Sequence, residues 1–192
     1  MSQPISHSRP ASQPIDLSIV IPAFNEGARL PATLRALKAF LDVDGRRAEI
    51  IVVDDGSRDD TSAQVRQFEV IDSRIRLIRL PQNRGKGYAV RTGVVNAAGA
   101  MVLFADADGA TPFAELARLE AELGAGARIA IASRGVRSRA TRVTARLYRR
   151  VLGRLFHAVV RLFAVRGIVD TQCGFKLFDA EAAHDLFSRM RM

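Results

Sequence analysis

Cysteine is all but missing from this sequence. Cys173 stands alone among 192 residues, so no intrachain disulfide can form and no cysteine cluster can hold a metal. A lone thiol fits a reducing compartment. The three histidines, His7, His157 and His184, fall on a tail and two separate helical stretches, so neither a histidine metal centre nor a Ser-His-Asp triad has positional support. No stretch reaches the roughly 18 uninterrupted apolar residues of a membrane span. The glycine fingerprints of common nucleotide folds are missing too. Arg84-Gly85-Lys86-Gly87-Tyr88 lacks the spacing of a P-loop, and Gly85-x-Gly87 lacks the third glycine of a dinucleotide site. Neither a P-loop kinase nor a dehydrogenase follows. Residues 1–16, rich in Ser, Pro and Gln with no apolar run, read as a disordered tail and not a signal peptide.

What is present is an ordinary soluble composition, 48% hydrophobic and 26% charged, long enough for one domain over 17–192 with a sizeable core. The net charge of +9 is unevenly spread: residues 123–169 contain eleven Arg and no Lys, Asp or Glu. Such a block calls for an anionic partner such as a membrane surface, phosphate or nucleic acid. A nucleic-acid binder ranks low, because the basic stripe has no interleaved aromatics and the presumed cleft is acidic.

Apolar runs alternate with helical periodicity along the chain. Leu17-Ser18-Ile19-Val20-Ile21 predicts a strand closed by Pro22, and Leu30, Leu34, Leu37 and Leu41 mark a helix over 28–41. Ile50-Ile51-Val52-Val53 predicts a second strand, followed by a helix to about Val70. The 75–80 stretch mixes Arg with Ile and Leu as an edge strand does, and 84–98 predicts a helix opened by a Gly-rich turn. A strand at 102–105, a helix from Pro112 to Leu123, a strand at 129–132, and a strand and short helix after Gly174 complete the pattern. Between them, 141–165 predicts a long amphipathic helix with Arg142, Arg146, Arg150 and Arg154 along one stripe. Alternating strands and helices imply an α/β fold, with a Rossmann-like, mostly parallel sheet covered by helices on both faces.

The chemistry gathers at strand ends. Val102-Leu103-Phe104-Ala105 runs straight into Asp106-Ala107-Asp108-Gly109, and side chains at i and i+2 of an extended segment share a side. Both carboxylates can then face one hard cation, with diphosphate oxygens completing its shell. Carboxylates at the end of the second strand can accept hydrogen bonds from base or ribose groups, while Lys86 and Arg134 can meet phosphate oxygens. Singly, each is an ordinary turn or cap. Together at successive strand ends, they favour a metal-dependent nucleotide site.

Pro22-Ala23-Phe24-Asn25-Glu26, Val53-Asp54-Asp55-Gly56-Ser57-x-Asp59, Asn83-x-Gly85-Lys86-Gly87, Asp106-Ala107-Asp108 and Ser133-Arg134 resemble the motifs of family 2 glycosyltransferases of the GT-A fold, over residues 17–190. Within it, Asp106-Ala107-Asp108-Gly109-Ala110-Thr111 and Asp170-Thr171-Gln172-Cys173-Gly174-Phe175-Lys176 look like the dolichyl-phosphate β-glucosyltransferase branch. Ala110 stands where the mannosyl branch usually carries a metal-binding Gln, which weakens that alternative. The resemblance implies that Pro22, Phe24, Glu26 and Asp54 hold uridine and ribose, and that Asp106 and Asp108 hold the diphosphate through Mg²⁺ or Mn²⁺. It also puts Ala107 on the donor side, Lys86 and Arg134 at phosphates, and Gln172 and Lys176 on the acceptor side, with Asp108 and Arg134 as the catalytic pair.

The expected activity is transfer of glucose from UDP-glucose to a polyprenyl or dolichyl phosphate, with inversion. A phosphate monoester loses its second proton near pH 6, about one unit below neutrality, so the acceptor is already anionic and needs little general-base help. The alternatives are a polyprenyl-phosphate mannosyltransferase and a non-catalytic nucleotide-sugar-binding module. The expected location is cytoplasmic, peripheral at the cytoplasmic face of a membrane, with the 141–165 helix against anionic lipid. Relatives continue past the position of Met192, so the catalytic domain is expected to be incomplete at its C-terminal end.

Overall fold

The computed structural model describes residues 14–132 and 173–191. The first strand, β1 (Leu17–Ala23), is buried at every position, as a continuous apolar run must be when helices cover both faces of a sheet. It leads to α1 (Leu30–Asp44), whose Leu30, Leu34, Leu37 and Leu41 are buried at helical spacing. Gly45 ends α1 in the left-handed conformation at φ 74°. There follow β2 (Ala48–Asp54), α2 (Thr61–Ile71), β3 (Ile75–Arg79), α3 (Lys86–Val95) and β4 (Met101–Ala105). A 3₁₀ turn (Phe113–Glu115) precedes α4 (Leu116–Gly124), where the sequence predicts one continuous helix. Then come β5 (Ile129–Ile131), β6 (Phe175–Asp179) and α5 (Ala180–Arg189).

The described strands form one sheet in the order β3-β2-β1-β4-β6-β5. β1, β2, β3 and β4 are parallel neighbours, while β6 runs antiparallel between β4 and β5. The sheet is therefore mostly parallel, and β3 lies at its edge as its mixed Arg and apolar sequence predicts. Leu17, Ile19 and Ile21 pack with side chains of α1, α2 and α4 in one core; Val20, Ile51 and Val53 pack with α3 and α5 in the other. Helices thus cover both faces.

The chain moves outward from β1 through β2 to β3, then returns to the other side of β1 as β4. Ligands of open α/β sheets bind where the order reverses in this way, beyond the strands' carboxyl ends. Here the two central strands part company: the β1–β4 ladder stops at Val20 opposite Phe104, whereas β1 stays paired with β2 to Ala23 opposite Asp54. Pro22 falls past the end of the β1–β4 ladder, where a missing N–H costs that pair nothing.

Two boundaries differ from the sequence reading. Ile15 and Asp16, assigned to the tail, belong to the domain, because the Ala100 N–H donates to the Ile15 carbonyl and the Asp16 N–H to that of Arg47. The Asp106-Ala107-Asp108-Gly109 stretch is a turn and not a strand extension, closed by Gly109 at φ 60°. No helix among the described residues is long and apolar enough to cross a membrane. The 141–165 helix lies outside the described residues.

The turn after β4 is fastened to α1 by one bond, from the Thr33 hydroxyl to the Ala107 carbonyl at 2.8 Å, with Thr33 buried. Thr33→Val preserves the shape and leaves that carbonyl without its donor. The expected loss is about 1–3 kcal/mol of unfolding free energy, measured by urea denaturation. An unchanged midpoint would show that water replaces the hydroxyl.

Candidate active site

The parting of β1 and β4 opens a cleft of about 300 Å³ at the carboxyl ends of the strands. Pro22, Phe24 and Glu26 wall it on the β1 side, Asp106, Ala107 and Asp108 on the β4 side, and Asp55, Asn83 and Lys86 close it from below. Seven residues named from sequence (Pro22, Phe24, Glu26, Lys86, Asp106, Ala107, Asp108) therefore meet in one place.

The loop after β1 is laced to the loop after β2. The Asn25 N–H donates to the Ser57 hydroxyl at 2.9 Å, the Glu26 N–H to the Thr61 hydroxyl at 2.8 Å, and the Gly27 N–H to Asp59 at 3.0 Å. The Arg58 N–H returns a bond to the Asn25 side chain at 2.9 Å. Asn25 sits at φ 53°, a conformation its short polar side chain tolerates. Burial pushes the Asp59 carboxyl up, but hydrogen bonds from the Thr61 hydroxyl and N–H and from the Gly27 N–H outweigh it and hold the group below the usual carboxylate range. The two sequence motifs are one structural unit. It leaves Phe24 42% exposed on the cleft wall. Glu26 is paired with Arg29 at 2.7 Å, and its Oε2 atom is buried without an aligned hydrogen-bond donor.

Asp54, placed on the nucleoside from sequence, does not line the cleft; Asp55 does. Asp54 is 0% exposed and accepts from the Ser57 N–H at 2.8 Å and from the Ser62 hydroxyl of α2. Asp55 accepts from the N–H groups of Arg84 and Gly85, both at 2.8 Å, and so pins the lead-in to α3 against β2. The strand period, together with the helices that cover each face of β2, accounts for the difference. Ile50 and Val52 face the α1 and α2 core, Ile51 and Val53 the α3 core, so Asp54 continues the first series and Asp55 the second. Gly56 between this turn and the next loop has φ 72°, and a Cβ there would overlap the backbone of Gln82 and Asn83.

The same alternation directs Asp106. Val102 and Phe104 face the α3 core, and Asp106 follows them to meet Lys86, the first residue of α3, with Nζ 2.6 Å from Oδ1. Its own N–H donates to the Gly174 carbonyl at 2.9 Å, and a Cβ on Gly174 would overlap the Asp106 carboxylate. Lys176 on β6 pairs opposite Phe104, and its Nζ lies 5.9 Å from the Phe104 ring centroid; Lys86 Nζ lies 5.3 Å from the same ring. Lys176 borders the cleft without lining it. Asp108 is exposed, with one oxygen accepting from the Ala110 N–H at 3.0 Å. The turn brings the two carboxylates to one wall, in place of the strand geometry expected from sequence. Arg134 and Gln172 lie outside the described residues.

Among the described residues no three His, Cys, Asp or Glu gather into a metal cluster. The donor set is a pair of carboxylates, Asp106 and Asp108, which suits a hard cation that draws its remaining ligands from water and phosphate. Asn83, Ala23 and Ala89 also line the cleft and were not singled out as ligand contacts from sequence, since amide and alanine side chains carry no distinctive chemical pattern.

Comparison with known proteins gives the site a family. The glycosyl transferase family 2 pattern matches residues 18–187. A dolichyl-phosphate beta-glucosyltransferase of Drosophila melanogaster is 41% identical over 194 residues, covering 94% of this chain and 60% of its own length. That of Homo sapiens is 38% identical over 189 residues, covering 92% and 58%. The chain thus spans about six-tenths of the length of these curated relatives. Among solved structures, a mannosyltransferase from Pyrobaculum calidifontis in complex with GDP-Man and Mn²⁺ has a TM-score of 0.63 at 20% identity, covering 91% of this chain and 47% of its own. Glucosyl-3-phosphoglycerate synthase from Mycobacterium tuberculosis, in complex with Mn²⁺, UDP-Glc and phosphoglyceric acid, has a TM-score of 0.61 at 20% identity, covering 87% and 57%. The fold is shared with these glycosyltransferases, and by the extent of the family match the chain belongs to glycosyl transferase family 2.

Proposed function

We propose that the chain transfers glucose from UDP-glucose to a polyprenyl phosphate of the dolichyl type, with inversion at the anomeric carbon. The observation that carries this is the convergence of Phe24, Lys86, Asp106 and Asp108 on one cleft at the switch point of the sheet. The relatives named dolichyl-phosphate beta-glucosyltransferase supply the donor sugar and the acceptor class. Phe24 and Pro22 offer an apolar wall to the uracil ring, and Asp55 has lone pairs beyond those taken by Arg84 and Gly85 to accept from the base. Glu26, which lines the cleft, can exchange its contact with the exposed Arg29 for a ribose hydroxyl.

Asp106 and Asp108 would hold Mg²⁺ or Mn²⁺, which when bound neutralises charge on the diphosphate. Lys86 meets the phosphates from the N-terminus of α3, where backbone N–H groups also favour an anion. The acceptor phosphate is dianionic at neutral pH, so the residues need only align it with the sugar and stabilise the departing UDP. Arg134, Gln172 and Lys176 are assigned to the acceptor side, and the arginine-rich segment 123–169 to an anionic membrane surface at its cytoplasmic face.

Incubation of the chain with UDP-glucose, Mn²⁺ and a short polyprenyl phosphate, followed by mass spectrometry of the lipid fraction, tests the assignment. The expected product is a hexosyl-phosphoryl lipid. UDP binding without a lipid-linked product would make the chain a nucleotide-sugar-binding module. A lipid-linked hexose formed from GDP-mannose in a parallel incubation, with none from UDP-glucose, would move it to the mannosyl branch.

Two substitutions separate the ends of the donor site. Asp108→Asn is expected to reduce UDP affinity in Mn²⁺ to the value seen in EDTA, by isothermal titration calorimetry. Equal affinities of the parent with Mn²⁺ and with EDTA would remove the metal from the scheme. Phe24→Ala is expected to weaken UDP by about tenfold or more through lost stacking, leaving inorganic diphosphate unaffected. A parallel loss for both ligands would take Phe24 off the base.

A further inference from the structure

We propose that Lys86 is the resident counter-ion of Asp106 and keeps a divalent cation off that carboxylate until a nucleoside diphosphate arrives. This rests on the assignment of Asp106 and Asp108 to the metal. Lys86 Nζ stands 2.6 Å from Asp106 Oδ1, an ion pair in which the lysine side chain is 60% exposed and the aspartate 21%. The carboxylate is hemmed in on its other flank. Gly174 lies so close that a Cβ would overlap it, and the Asp106 N–H is fixed to the Gly174 carbonyl at 2.9 Å. A metal ion coming to Asp106 therefore has to take the place of the ammonium group.

The surroundings of Lys86 point the same way. Lys86 and Lys176 both approach the Phe104 ring, at 5.3 and 5.9 Å, on the side of the sheet to which Asp106 turns. The cleft lining sets Glu26, Asp55, Asp106 and Asp108 against one lysine, Lys86. Lys86 also opens α3, whose N-terminal dipole disfavours a cation and attracts an anion. An arriving diphosphate thus draws the ammonium off Asp106 and toward its own oxygens. The carboxylate so vacated takes the metal. Nucleotide and metal binding become positively coupled, and the coupling is reciprocal.

The test is Mn²⁺ binding by the full chain, read from the electron paramagnetic resonance signal of free Mn²⁺, with and without UDP, in the parent, Lys86→Met and Lys86→Arg. Lys86→Met removes the competing charge while retaining most of the stem; it is expected to bind Mn²⁺ alone several-fold tighter, up to about fivefold. The enhancement of Mn²⁺ affinity by UDP is expected to shrink by at least the same factor. Lys86→Arg, which keeps the charge, is expected to follow the parent. A Lys86→Met protein with a parental circular dichroism spectrum that binds Mn²⁺ no better than the parent overturns the proposal. If the parent still shows UDP-dependent Mn²⁺ binding in that case, the metal assignment survives and only the role of Lys86 fails. If the parent binds no Mn²⁺ even with UDP, both fall together.

Discussion

A β-strand sends successive side chains to opposite faces, and in β2 and β4 that alternation decides which carboxylates reach the cleft. Val53 and Phe104 are buried against α3, so Asp55 and Asp106, two residues further on, continue toward the same side. There Asp55 holds the amides that lead into α3, and Asp106 meets its first side chain. Asp54 points the other way and is spent on the turn before α2. The direction set by the two strands thus carries into the residues just past their ends, Asp55 and Asp106.

The loops then need close approaches that only glycine permits. Gly56 turns with positive φ beneath the backbone of Gln82 and Asn83, bringing the end of β2 against the loop that carries Lys86. Gly174 lets β6 lie beside the end of β4 without striking the Asp106 carboxylate. These contacts join segments distant in the chain, so their cost of ordering is met by the sheet and not by local structure. The insertion of β6 beside β4 is what brings Lys176 opposite Phe104 and adds a second cation on the α3 side.

The cleft is consequently provided with internal partners before a ligand enters. Glu26 has Arg29, Asp55 has two backbone N–H groups, and Asp106 has Lys86. Such pairing offsets part of the cost of holding carboxylates away from water. Under the proposed coupling, a nucleotide entering the cleft exchanges partners with these groups, Lys86 among them.

The α/β alternation, the leucine face of α1, the edge position of β3 and the gathering of Pro22, Phe24, Glu26, Lys86, Asp106 and Asp108 were legible in the sequence. Apolar periodicity reports burial directly, and charged residues at the ends of apolar runs mark the rim of a parallel sheet. Three features were decided only by the tertiary structure. The choice of Asp55 over Asp54 depended on which helix covers each face of β2, and the sequence of β2 is apolar on both. The Asp106–Asp108 turn depended on Thr33 of α1 reaching the Ala107 carbonyl, a contact between residues 74 positions apart. The antiparallel place of β6 between β4 and β5 depended on hydrogen bonds across the sheet, since a short apolar strand reads alike in either direction and the partner it takes is set by the edge left open to it.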